Sequence, residues 1–578
     1  MQAQERSYKS QKVIERMGKK LNRQIAGSLA ACVHCGNCTE SCHYVLANPG
    51  DPTYAPAYKA DRVRKIFKRH FDWTGRVLPW WVKAGSVFTD EELEELKDVA
   101  FGKCTNCRRC SLNCPMGVDF AVVNRMARGL LVSVGVMPVG VAVVSKDQWE
   151  IGNQMGVLKE DYLETVEWMS DELVEALGEP GAAIPIDKPG CEIMYTINPR
   201  EAKYDPRTIS DAAKIFHAAG ESWTMPSEGW DMTNFGLFSG DDELGGVVAR
   251  RVFEKAIELG ARRVVMSECG HGYRSTRCEG QNWAGMDVPF AMESSVVTML
   301  RYIHEGRIKV DKTRNTASVT YHDSCNNARS CGMFEEPREV LRHVVTDFRE
   351  MYPNRAENYC CTGGGGAMSM SEYTPRRLKS AQVKADQLRA TGAKVVVTSC
   401  HNCVDGLADL IRHYKLDMKV TQLVNLVSDA LVIEKRVAVP VAKIAAVLAG
   451  RRILVVDDEP DVRTFLTAVL EDNGATVFSA ADGDEGLALA RKERPDLITL
   501  DLSMPGMDGG KVFEAIRKDP ELAKIRVCII TGRPELRKLI YERDVPPPEG
   551  YLDKPVNEET VLTNVRKILE VTGEHKAH

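Results

Sequence analysis

The sequence predicts a multidomain chain: a helical, cysteine-rich N-terminal part, a middle region in which short strands alternate with helices, and a separate α/β unit at the end. Three observations predict it. The 578 residues exceed what one hydrophobic core serves, and size scaling divides them into roughly three or four domains. The 18 cysteines fall mostly in tight C-x-x-C spacings, which favour metal ligation over disulfides. From about residue 185 onward, short apolar runs bounded by loop residues alternate with helical segments. With 44% hydrophobic residues, 27% charged residues and a net charge of −5, the composition is that of a globular chain and points away from nucleic acid.

Residues 1 to about 27 read as one basic amphipathic helix, with Val13, Ile14, Met17, Leu21 and Ile25 at helical spacing. No secretory signal precedes the cysteines and no stretch reaches the ~18–20 apolar residues that span a bilayer, so the expected compartment is the cytoplasm. The apolar run from Gly129 to Val144 is short and interrupted by Gly135, Pro138 and Gly140, and is expected to be a buried loop or strand. Trp73, Trp80 and Trp81 stand among basic residues, a pattern that fits either a docking face or ordinary packing.

Within the first domain, residues 1–150, the chemistry lies in two cysteine runs. They are Cys32, Cys35, Cys38, Cys42 and Cys104, Cys107, Cys110, Cys114, the second followed by Pro115. Both have the C-x2-C-x2-C-x3-C spacing of bacterial ferredoxins, in which three thiolates grip one [4Fe–4S] cubane and the fourth cysteine crosses to the other. That predicts Cys32, Cys35, Cys38 and Cys114 on one cluster, and Cys104, Cys107, Cys110 and Cys42 on the second. Zinc is the competing occupant, but it needs only four ligands per site and leaves the repeated C-x2-C-x3-C register unexplained. His43 stands where proline usually follows the fourth cysteine.

Residues 185–433 hold apolar runs at Arg263 to Met266, Ala317 to Tyr321 and Lys394 to Thr398, and a helical segment at Gly246 to Leu259. Cys325 is followed after 34 residues by the adjacent pair Cys360 and Cys361, and after 38 more by Cys400 and Cys403. This arrangement resembles the CCG domain of heterodisulfide reductase catalytic subunits and of related sulfate-reducer proteins. With the N-terminal ferredoxin module included, the likeness covers roughly the first 430 residues in order. The resemblance implies that Cys325, Cys360, Cys361, Cys400 and Cys403 hold a noncubane iron–sulfur cluster at which a disulfide is cleaved one electron at a time.

It also implies a tandem, with a degenerate first half at 185–305 and a complete second half at 315–433. Cys269, after an apolar strand, occupies the place of Cys400, but no cysteine pair precedes it. One noncubane cluster is therefore expected, with Cys269 and His271 on the substrate side or handling protons. His322 and His401 flank ligand cysteines and are candidates for proton supply, or for simple bonding to backbone. Gly363 to Gly366 permit close approach to the cysteine pair, or form a flexible loop. Cys191, Cys278, Cys331 and Cys528 are expected to be mostly buried structural thiols.

Residues 434–450 read as a linker, and 451–575 resemble a response-regulator receiver domain, a flavodoxin-like (βα)5 fold. The motifs are RRILVVDDEP, PDLITLDLSMPGMDG, VCIITGRPE and GYLDKPV. The resemblance implies Mg²⁺ on Asp457, Asp458 and Asp501, phosphorylation of Asp501, charge neutralisation by Lys554, and a switch pair of Thr531 and Tyr551. A receiver that is never phosphorylated is the competing reading.

Together these features predict an iron–sulfur oxidoreductase subunit of an anaerobic, membrane-associated respiratory complex. The expected partners are a cytochrome b-type or quinone-linked membrane subunit, a small thiol/disulfide or a disulfide-bearing protein, and a histidine kinase. The chain itself is expected to be peripheral, with the partner supplying the membrane spans. Two other readings stay open: a relay without catalysis, and a redox-sensing signalling protein whose output is the receiver.

Overall fold

The N-terminal part is helical throughout, because its apolar residues recur at helical spacing and pack inward in one group. Val13, Met17, Leu29, Val63, Ile66, Leu96, Phe101 and Leu130 are all buried in a core that also takes in Phe235, Phe238 and Met370. Each such side chain contributes about 1.5–3 kcal/mol on burial. The computed structural model describes residues 2–85, 88–433, 448–504, 508–532, 545–554, 556 and 558–570. It divides into two units, Met1–Arg436 and Val437–His578. Most of the expected linker, 434–447, lies outside the described residues, as do 571–575 of the expected receiver range.

Two expectations for this part are corrected. The first helix is two, Gln2–Lys20 and Arg23–Ala31, because Asn22 leaves the helical conformation and its side chain caps the second by accepting from the N–H of Ile25. The run from Gly129 to Val144 is no strand, and only its middle, 134–138, is a loop. It spans the end of helix Phe120–Ser133 and the start of helix Val139–Glu150, with Gly135 in the left-handed region between them. Leu130, Leu131 and Val141 face the N-terminal core while Val139 and Val143 are exposed, and helix Phe120–Ser133 is capped by the Asp119 side chain.

Two four-stranded parallel sheets follow. The first contains β1 (Ile193–Thr196), β2 (Trp223–Thr224), β3 (Arg263–Met266) and β4 (Ala291–Ser294), in the order β2-β1-β3-β4. The second contains β5 (Ser318–Tyr321), β6 (Asp347–Phe348), β7 (Val395–Val397) and β8 (Lys419–Thr421), in the order β6-β5-β7-β8. The order is the same in both, so the region is a structural repeat. The central strands are apolar and almost wholly buried, as parallel strands covered on both faces must be. Both halves share one core, in which Ile193, Val264 and Phe216 lie with Val319, Val395 and Leu341.

The second unit has five parallel strands: β9 (Arg452–Val456), β10 (Thr476–Ala480), β11 (Leu497–Leu500), β12 (Arg526–Thr531) and β13 (Gly550–Asp553). Their order, β10-β9-β11-β12-β13, is the doubly wound flavodoxin-like arrangement, with the strand order reversing beside β9.

Candidate functional site

The eight cysteines of the two runs line two cavities. Cys32, Cys35, Cys38 and Cys114 face one of about 290 Å³. Cys42, Cys104, Cys107 and Cys110 face another of about 500 Å³, and Phe120 borders both. The fourth cysteine of each run therefore stands in the other run's cavity, the crossing expected from the spacing. His43 occupies the first position of helix His43–Leu46, a place where proline fits equally well. Its buried ring borders the larger cavity and neither ring nitrogen meets a conventional hydrogen-bond partner. The Cys107 thiol is held well below the ordinary range, first by its contact with Cys360 and then by His43. Four converging sulfurs per cavity, in a largely apolar lining, fit an iron–sulfur cluster in each.

Five of the other ten cysteines, Cys325, Cys360, Cys361, Cys400 and Cys403, converge in the second half of the tandem, and all five are buried. Cys325 opens the helical turn Cys325–Ser330 after β5; Cys400 precedes helix His401–His413 after β7, and Cys403 lies in that helix's first turn. The sulfurs of Cys361 and Cys403 are 3.2 Å apart, and His322 offers a ring nitrogen to the same group. Cys360 is in contact with Cys107, Cys325 and Cys361. The backbone N–H groups of Thr362 and Gly363 donate to Cys360 and Cys361 at 3.3 and 3.4 Å.

Cys361 is drawn well below an ordinary thiol by contacts with Cys360, Cys403 and then His322, and Cys400 is drawn down to about 7 by Cys403. Cys360 and Cys403, holding the shared protons, are pushed up. Buried sulfur anions so close together are stable only when a cation neutralises them, so this donor set also fits an iron–sulfur group.

The two cavities and the five-cysteine cluster lie in series. Thr105 Oγ1, from the loop of the larger cavity, is 3.4 Å from Cys360 Sγ, and Cys107 touches the same sulfur. At the far end Cys35 is exposed.

Gly363 to Gly366 are buried, so the close-approach reading holds and the flexible loop does not. A Cβ on Gly363 would stand 2.0 Å from the Asn402 carbonyl oxygen, and one on Gly365, whose φ is +68°, 2.4 Å from that of Thr105. The fully buried Arg128 clamps this loop. Its guanidinium donates to the carbonyls of Ala100, Cys104, Phe238 and Gly365, and burial alone brings its pKa down to about 10.

Both flanking histidines find side-chain partners rather than backbone. His401 Nε2 is 2.9 Å from Glu201 Oε1, a fully buried pair. His322 Nδ1 is 3.2 Å from Asn358 Nδ2, and Asn358 Oδ1 accepts from Lys384 Nζ at 2.5 Å. Burial lowers His322, helped by the positive Lys384, and brings Lys384 itself down to about 7. Sequence reasoning missed Lys384, Asn358, Glu201 and Arg128. A lysine in helix Gln382–Thr391 carries no local sign of burial, and only the fold brings it beside the cysteines.

Cys269 follows β3 as Cys400 follows β7, as expected. Its sulfur is 3.3 Å from Asn198 Nδ2 and 3.3 Å from His271 Nδ1, and Asn402 from the second half reaches the same His271 nitrogen at 3.2 Å. Burial holds His271 neutral, at about 3. Cys191 and Cys528 are buried thiols as expected, but Cys278 is exposed and Cys331 partly so. The three tryptophans do not pack: Trp73, Trp80 and Trp81 are 74%, 75% and 78% exposed.

In the second unit, carboxylate oxygens of Asp457, Asp458 and Asp501 lie within 4.8 Å of one another, a set that fits a hard divalent cation. Lys554 Nζ is 2.9 Å from Asp457 and 2.7 Å from Asp501. Burial disfavours the lysine's charge, but Asp501, Glu459 and Asp457 outweigh it and raise its pKa. Thr531 closes β12, buried, and Tyr551 lies on the adjacent β13.

Comparison with known proteins agrees with this arrangement. The 4Fe-4S dicluster domain family matches residues 28–118, the cysteine-rich domain family 319–407, and the response regulator receiver domain family 453–566. The chain thus joins a 4Fe-4S dicluster domain and a cysteine-rich domain to a receiver, and over its first two parts it is similar to iron–sulfur subunits of heterodisulfide reductase-like complexes.

More particularly, over 458 residues the chain is 27% identical to the Hdr-like menaquinol oxidoreductase iron-sulfur subunit 2 of Archaeoglobus fulgidus, covering 71% of this chain and 81% of the relative. Over 409 residues it is 26% identical to a subunit of the dihydromethanophenazine:CoB--CoM heterodisulfide reductase of Methanosarcina barkeri, covering 70% and 94%. The receiver is 39% identical over 118 residues to protein PilH of Pseudomonas aeruginosa, covering 20% and 97%.

Proposed function

We propose that this chain passes electrons between a membrane-bound redox partner and a thiol/disulfide site. Cys32, Cys35, Cys38 and Cys114 would hold one cubane cluster, and Cys42, Cys104, Cys107 and Cys110 the other. Cys325, Cys360, Cys361, Cys400 and Cys403 would hold a noncubane cluster where the disulfide reacts. The observation that carries the reading is the contact of Cys107 and Thr105 with Cys360, which joins the second cavity directly to the five cysteines.

The clusters, when bound, supply one-electron carriers. The chain's own residues do the rest. Thr362 and Gly363 hold the cysteine pair through backbone N–H groups, and the Lys384–Asn358–His322 network places a proton beside Cys361. Burial of the whole group keeps bulk water from a departing thiolate.

Peripheral attachment to the membrane through a partner subunit is part of the proposal. No described helix is long and apolar enough to cross a membrane, and the exposed Trp73, Trp80 and Trp81, with Val77 also exposed, suit an interfacial docking face. In the receiver, Asp501 would accept the phosphoryl group from a histidine kinase, with Mg²⁺ on Asp457, Asp458 and Asp501 and with Lys554, Thr531 and Tyr551 in the roles of charge partner and switch.

The test is iron and sulfide analysis of the anaerobically purified chain with EPR, in the presence of thiol and disulfide substrates. About twelve irons and a substrate-induced signal are expected; about eight irons, with no signal beyond two cubanes, overturns the disulfide site. Acetyl phosphate with Mg²⁺ should label Asp501, and an unlabelled chain removes the receiver part of the proposal.

A further inference from the structure

Outside the thirteen cysteines assigned above, Cys278 and Cys331 meet at the surface. Their sulfurs are 3.7 Å apart although 53 residues separate them in the chain. Cys278 belongs to the helical turn Ser275–Glu279 of the first half, and Cys331 directly follows the turn Cys325–Ser330 of the second. Cys278 is exposed and Cys331 partly exposed. The segments carrying them are in firm contact. Arg274 donates to Asn326 Oδ1 at 3.2 Å, and a Cβ on Gly270 would meet Ser324 Oγ at 2.5 Å.

The pair is electronically unequal. Cys278 is drawn down to about 6, first by its hydrogen bond with Cys331 and then by Arg277 and Arg274, with burial opposing. Cys331, the proton holder, is pushed up by the same bond. The accessible sulfur is thus the one with thiolate character, and the less accessible one stands behind it. This is the division between attacking and resolving thiols in a dithiol exchange site.

We propose that Cys278 and Cys331 form a second thiol–disulfide site, separate from the five-cysteine group, which exchanges with small anionic disulfides at the protein surface. The Cys278 thiolate attacks one sulfur of R–S–S–R, a Cys278–S bond forms, and RS⁻ leaves and is protonated to RSH. The Cys331 thiol then loses its proton and attacks Cys278 Sγ in the mixed disulfide, so that the Cys278–Cys331 bond forms and the second RS⁻ leaves, taking up that proton. Both cysteines are oxidised and the small disulfide is reduced to two thiols, two electrons in all. Closure requires the sulfurs to approach by roughly 1.7 Å to reach the disulfide length, a shift within the range of side-chain rotation. Arg274 and Arg277 favour an anionic partner. The resulting bond would staple the two halves together six residues from Cys325.

The test uses the full chain, purified anaerobically with its metal, and glutathione disulfide as the anionic probe against cystamine as the cationic one. Intact mass and peptide mapping are expected to show loss of a hydrogen pair and a Cys278–Cys331 cross-link. Cys331→Ser is expected to stop at a stable glutathione adduct on Cys278, and Cys278→Ser to abolish the reaction, both with iron content unchanged. Arg277→Ala is expected to slow glutathione disulfide several-fold and leave cystamine unaffected. Glutathione adducts without the cross-link in the unaltered chain would overturn the proposal. So would loss of iron in Cys278→Ser, which would place the pair in the cluster machinery.

Discussion

The two halves of the tandem have the same strand order and put a cysteine at the same place after the third strand, yet among the described residues only the second gathers a cluster of cysteine sulfurs. After β7, Cys400 meets Cys403, and through it Cys361 and the rest of the group. After β3, Cys269 meets Asn198 and His271 instead. The difference teaches that the fold supplies the position and the neighbours supply the chemistry. A sulfur surrounded by other sulfurs has the donor set a metal needs, whereas the same sulfur beside an amide and a neutral imidazole has hydrogen-bond partners instead. The halves remain joined beside Cys269, since Asn402 reaches His271 and the Glu268 side chain accepts the N–H groups of Leu423 and Val424.

The comparison is broken most severely from the second half. Cys361→Ser is expected to remove the third iron–sulfur signal and reduce disulfide turnover to background, while leaving about eight irons bound; EPR with iron analysis reads both. Gly363→Ala comes next. Its methyl group would collide with the Asn402 carbonyl, so thermal unfolding of the protein should show a loss of about 1–3 kcal/mol, accompanied by weakened iron retention at the five-cysteine group alone.

In the first half, Cys269→Ser should leave iron content intact and lower turnover by about 10-fold, the scale of outer-shell changes around metal sites. If iron is lost instead, Cys269 is a ligand and the halves are more alike than the geometry indicates.

The smallest effect is expected at Glu268, whose folded-state pKa is raised to about 8 by burial, with the N–H groups of Leu423 and Val424 opposing. An acid raised on folding contributes stability that is fully present below its unfolded value and is lost as pH rises through about 8. Between pH 5 and 9 the melting temperature of the unaltered chain should therefore fall relative to Glu268→Gln, by roughly a few degrees.

Much of this was legible because the chemistry is local. The cysteine spacings state which sulfurs share a cavity, including the crossing of Cys42 and Cys114, and the apolar runs before Cys269 and Cys400 mark the strands that deliver them. The receiver's acidic positions read equally well, since each follows a strand. What was not legible depends on contacts between distant segments. Nothing near Arg128 or Lys384 says that either is buried, because charged residues in helices ordinarily face water. Cys278 and Cys331 belong to no motif, and only the docking of one half on the other brings them together. The run after Gly129 misleads because an uncharged stretch has no polar period to separate helix from strand, and its glycines and proline read as loop signals. The tryptophans are exposed in spite of their size, a feature that packing preference argues against.

Arg128 has a consequence for the order in which this protein can be made. Its charge is satisfied by two carbonyls of its own N-terminal module, by Phe238 of the first half and by Gly365 of the second. While the chain is emerging from the ribosome, the partner at 365 does not yet exist, and the arginine must keep its water. The full set of acceptors for Arg128 therefore exists only after more than two hundred further residues have been synthesised. The loop of Cys104 and the glycine loop at 365 are thus locked to each other through one guanidinium, and that lock is the last of its bonds to form.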